Sequence, residues 1–114
     1  MTILLNGGVI SQVAHDAALN ASQLLASEWN VDLHSEQLQM AMTHFARATD
    51  RIINNDPIKE GLDSDIFEEI SSDCLFTEIE SMNKKICAFT NIELIPEEEN
   101  SFLLSNLYAI KINL

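Results

Sequence analysis

Apolar residues recur at intervals of three and four along most of this chain, and nowhere do they alternate with period two for long enough to build a sheet. The first helix is expected from Ser11 to Trp29, with Val13, Ala17, Ala21 and Leu24 on one face and Ser11 as its cap. Asn30 to Leu33 reads as a connector, and Ser35 caps a second helix from Glu36 to Asn54. Its apolar line is Leu38, Met42, Phe45, Thr49 and Ile52, and the run Asn54, Asn55, Asp56, Pro57 stops it. A short helix over Asp63 to Ile70 carries Ile66, Phe67 and Ile70, and the chain bends around Asp73. Leu75 to Phe89 repeats the spacing with Leu75, Ile79, Met82, Ile86 and Phe89. Pro96 suits the first turn of a last helix, whose N-terminus Glu97, Glu98 and Glu99 favour, and which carries Phe102, Leu103, Leu107 and Ile110.

The expected fold is all-α, a five-helix bundle with short connections. A chain of 114 residues makes one domain. The helical domain is placed at 11–110, after an N-terminal arm over 1–10 that Gly7 and Gly8 close, and before a C-terminal tail over 111–114. So short a chain buries a modest share of its surface, and a homodimer is expected.

Charge narrows the partners. The formal net charge is −12, and the six cations, Arg47, Arg51, Lys59, Lys84, Lys85 and Lys111, are scattered. No basic stripe forms, so direct nucleic-acid binding and an anionic membrane surface are both disfavoured. No segment reaches the roughly 20 apolar residues of a membrane span. No secretory signal is seen, so the expected location is the reducing cytoplasm. Cys74 and Cys87 lie in apolar helical contexts without metal-ligand spacing and read as two buried thiols.

Little in the chain supports catalysis. There is no glycine-rich phosphate loop, no nucleophile–base pair with helpful local context and no histidine spacing for a metal. The chain reads as a non-enzyme with no cofactor, no metal and no catalytic residue. His15, beside Asp16, and His34, before the second helix, read as solvated surface histidines.

His44 is more informative. At about 100° per residue, His44 and Arg51 fall on nearly one azimuth, roughly 120 to 140° from the apolar sector of the second helix. Seven residues separate them, roughly 10 Å along the axis. A neutral imidazole is a competent nucleophile, and an arginine within reach can take two hydrogen bonds from a phosphoryl group placed on it. By spacing alone, the plainer reading of His44 is a boundary residue without chemistry.

The stretch Met42-Thr-His44-Phe-Ala-Arg-Ala-Thr-Asp-Arg51-Ile resembles the first signature of PRD modules, the phosphotransferase-system regulation domains. Asp65-Ile-Phe-Glu-Glu-Ile70 resembles the short helix that follows it. Glu93-Leu-Ile-Pro96-Glu-Glu-Glu99-Asn-Ser-Phe102-Leu-Leu-Ser-Asn106-Leu resembles the last signature, an apolar–Pro–acid turn leading into an apolar helix. The resemblance as a whole covers roughly Ser11 to Ile110, and the order and spacing of the three stretches are more specific than any one of them.

The resemblance implies a five-helix bundle and a part in sensing carbon supply. PRD modules usually sit in pairs within transcriptional antiterminators and activators. Phosphocarrier and permease components of the phosphotransferase system phosphorylate their histidines, and this shifts dimer packing. Three departures stand out. The family's second histidine falls at Asn106, the acid that commonly precedes the first histidine is Thr43, and a single module is present without a nucleic-acid-binding segment. The resemblance leaves His44 as the candidate phosphorylation site, with Arg51 and Asn106 as candidate phosphate contacts. Asn106 reaches His44 if the second and last helices pair. Two readings follow: a stand-alone regulatory module, or a degenerate module for interaction or dimerisation that has lost phosphotransfer.

Overall fold

A computed structural model describes residues 10–114 of the chain. The proposed arm over 1–10 therefore lies outside the described residues except for Ile10, which is buried in the core. Five helices follow: α1 (Gln12–Trp29), α2 (Glu36–Ile53), α3 (Ser64–Ser71), α4 (Phe76–Ala88) and α5 (Glu97–Ile112). No strand occurs among the described residues.

Local chemistry explains where the helices start and stop. Ser11 caps α1 by accepting the Ala14 amide, and its own amide and hydroxyl both donate to Asp50 on α2. Asn30 closes α1 in the left-handed conformation that asparagine tolerates (φ 57°), with its N–H on the Leu25 carbonyl. Ser35 caps α2 through Leu38, and Asp63 caps α3 through Asp65 and Ile66. The last helix runs on through Lys111 and Ile112, so the expected tail over 111–114 begins inside it. Lys111 is anchored there, with Nζ 2.9 Å from Glu78 Oε1 and 4.6 Å from the centre of the Trp29 ring.

The most extensive packing is between α1 and α2. The buried stripe of α1 is Ala14, Ala17, Ala18, Ala21 and Leu25. It is rotated roughly 60° from the face expected through Val13 and Leu24. Val13 is exposed and Leu24 only partly buried, because packing against α2 selects the small residues that let two helices approach closely. On α2, Leu38, Met42, Phe45 and Thr49 are buried as the pattern indicates, while Ile52 is half-buried. Ile66, Phe89 and Phe102, also expected inside, are exposed. Each buried Leu, Ile or Phe stabilises the fold by about 1.5–3 kcal/mol relative to an exposed one.

Helix α5 is the hub. It packs on α2, α4 and α3. Its Tyr108 hydroxyl donates to Asp73 at the α3–α4 corner, at 2.9 Å. The connector from α2 to α3 is tied to its first turns: Leu62 N–H donates to Ser101 Oγ at 3.0 Å and Ile58 N–H to Glu99 Oε2 at 3.2 Å. Gly61 makes this approach possible, since a Cβ there would lie 3.1 Å from Ser101 Oγ and 3.2 Å from Glu98 Cα.

Candidate functional site

The seam between α2 and α5 holds a cavity of about 280 Å³ lined by His44, Ala48, Arg51, Ile58, Glu99, Phe102, Leu103 and Asn106. The three residues singled out from the sequence all line it. His44 is exposed and sits on the flank of α2, not under the core. Its Nδ1 lies 3.4 Å from Asn106 Nδ2 on α5. Seven residues on, Arg51 faces Glu99, seven residues before Asn106. The two pairs run in opposite order along their helices, so α2 and α5 cross this seam antiparallel.

Arg51 is not a free cation. Its Nε and Nη2 donate to the two oxygens of Glu99, each at 2.8 Å, in a bidentate fork. Glu99 is 1% exposed, whereas the Arg51 side chain is 38% exposed. The hydrogen bonds from Arg51 to Glu99 and the nearby carboxylates raise the guanidinium pKa above its ordinary value, against a partial loss of hydration. Glu99 Oε2 also accepts the Ile58 amide, at 3.2 Å. The carboxylate thus holds α2, α5 and the connector at one point.

Sequence reasoning missed this part of the site. Glu97, Glu98 and Glu99 read as one favourable charge run at a helix start, and Glu97 and Glu98 are indeed exposed in the first turn of α5. Glu99 is buried and paired. The available signal was the matched seven-residue spacing of His44 to Arg51 and of Glu99 to Asn106. Phe102 also changes role: it is exposed at the cavity instead of filling the core.

The other histidines stand apart. His34 is exposed. His15 is not the freely solvated residue expected: its side chain is 14% exposed and its Nδ1 lies 3.4 Å from Asp16. Of the two cysteines, Cys87 is largely buried and its thiol is pushed up to about 11 by desolvation, whereas Cys74 is exposed, contrary to expectation. Among the described residues, no group of three or more His, Cys, Asp or Glu is placed to hold a metal ion, and no helix is long and apolar enough to cross a membrane.

No family model matches the chain, and no solved structure matches it. A protein of Escherichia coli (strain K12), "Uncharacterized protein YhfY", is 28% identical to it over 110 residues, or 96% of this chain and 90% of that protein. The similarity therefore runs through the five helices of the described residues and both sides of the seam.

Proposed function

We propose that this chain is a single PRD-like regulatory module, cytoplasmic and non-enzymatic. It receives a phosphoryl group on His44 from a phosphocarrier or permease protein of the phosphotransferase system. It then acts as a homodimer on a transcription regulator through protein contacts. The observation that carries this reading is the convergence of His44, Arg51 and Asn106 on one cavity, although 62 residues separate His44 from Asn106. A phosphoryl group on His44 adds about 1.5 to 2 negative charges at pH 7 and three strong acceptors. A guanidinium has five N–H donors, of which Arg51 spends two on Glu99. The rest remain for a phosphate at the cavity mouth. Arg47, one turn from His44, is exposed and makes no ion pair among the described residues, so it can add charge from the solvent side.

The Arg51–Glu99 fork also favours a second reading. The pair is electrically neutral as a unit, which weakens the pull on an incoming anion. In that case the module keeps its fold and contact surfaces and has lost phosphotransfer. Incubation of the full chain with the phosphocarrier system and phosphoenolpyruvate separates the two. Acid-labile label on the wild type, absent from His44→Ala, supports the first. A wild type that stays unlabelled while a control PRD is labelled leaves the interaction module.

A further inference from the structure

A neutral imidazole has one donor and one acceptor nitrogen, and only the nitrogen with the free lone pair attacks. In His44 the nitrogen turned towards α5 is Nδ1, which meets the Asn106 amide at 3.4 Å. In the orientation seen, Asn106 Nδ2 can only donate, so the contact is a hydrogen bond when Nδ1 is unprotonated and the ring proton is on Nε2. Neither nitrogen is then a free nucleophile: Nδ1 has its lone pair covered, and Nε2 has its lone pair in the aromatic sextet. Rotating the amide by about 180° exchanges its ends and presents Oδ1. Oδ1 can only accept, so Nδ1 takes the proton and the Nε2 lone pair opens to solvent. The bond to be broken is long, and Asn106 is half-buried at the cavity, so the exchange disturbs no core contact.

We propose that Asn106 is a positioning residue that gates the tautomer of His44: with Nδ2 turned to Nδ1 it favours the resting Nε2–H form, and with Oδ1 turned there it favours Nδ1–H and frees Nε2 as the atom that accepts a phosphoryl group. The control of the tautomer stands on the geometry alone, and the phosphoryl step rests on the function proposed above. In that step the Nε2 lone pair forms the new N–P bond. The P–N bond of a phosphohistidine on the donor protein breaks, and the departing imidazole keeps the electron pair. The Nδ1 proton stays hydrogen-bonded to Asn106 Oδ1 until the phosphoimidazolium sheds it to water. An asparagine suits this position because it serves both tautomers. An aspartate serves only the Nδ1–H form, and a leucine serves neither.

The test is long-range ¹H–¹⁵N spectroscopy of the full chain, labelled at histidine nitrogens, at a pH where the ring is neutral. The wild type is expected to hold the Nε2–H form about fivefold in excess of its ratio in Asn106→Leu. Asn106→Asp is expected to move the ring to the Nδ1–H form. Circular dichroism confirms that the half-buried position leaves each variant folded, and the spectra of His15 and His34 serve as internal references. A His44 tautomer ratio that is the same in wild type, Asn106→Leu and Asn106→Asp overturns the proposal. Phosphoramidate, a small phosphoryl donor, then reports the acceptor atom through ³¹P–¹⁵N coupling: label on Nε2 supports the proposal, and label on Nδ1 overturns it. If no donor labels His44, the phosphotransfer reading falls, while the ring spectra still decide the role of Asn106.

Discussion

Arg51 and Glu99, 48 residues apart, face each other across the α2–α5 seam through two parallel hydrogen bonds of 2.8 Å. The carboxylate is closed off from water and the guanidinium is not, so the two sides of the pair are unequal. Losing the arginine strands a buried charge, whereas losing both groups strands no charge and leaves only the Ile58 amide without its acceptor.

This inequality has a measurable consequence. Arg51→Met is expected to cost about 3 kcal/mol, because the Glu99 charge stays buried without a partner. The double variant Arg51→Met with Glu99→Met is expected to be more stable than that single variant, recovering most of the loss. Urea unfolding of the wild type, Arg51→Met, Glu99→Met and the double variant measures the coupling. A double variant less stable than Arg51→Met alone would contradict it.

Gly61→Ala is expected to destabilise by about 1–3 kcal/mol, the usual cost of an overpacked contact. The added methyl meets Ser101 Oγ and the Glu98 backbone, and only the hydroxyl can turn away. A thermal melt records the loss. Weaker amide protection at Leu62, whose N–H donates to Ser101, is expected with it.

The two thiols should differ in reactivity. Cys87 is pushed up to about 11 by burial, so little thiolate forms at neutral pH, while Cys74 is exposed. Iodoacetamide is expected to modify Cys74 in the native protein and Cys87 only after unfolding, as read by mass spectrometry. The raised folded value also carries a pH dependence. Its contribution is whole below the ordinary thiol value of 9.0 and is lost as pH rises from there towards about 11. Cys87→Ala is expected to flatten that alkaline decline in the urea midpoint.

At the other end of the pH scale, Asp73 accepts the Leu75 amide and the Tyr108 hydroxyl, each at 2.9 Å, which holds its carboxyl below the usual range. A lowered folded value adds stability above the unfolded carboxylate range and forfeits it as pH falls through the folded value. Tyr108→Phe is therefore expected to lose less stability than the wild type between about pH 6 and about pH 3. Equal acid slopes for the two proteins would show that the hydroxyl contributes nothing there.

Much of this molecule is written in local pattern. The caps Ser11 and Ser35, the stop after Ile53 and the start after Pro96 follow from side chains competing for backbone groups within a few residues, so they are readable without knowing the fold. The shared azimuth of His44 and Arg51 is equally a property of one helix. What lies opposite them is not. Whether Glu99 is solvated or sealed against Arg51, whether Asn106 meets His44, and which stripe of α1 turns inward all depend on how helices far apart in sequence slide and rotate against each other. That register is chosen by the packing of the whole core, including alanines too small to announce a face of their own.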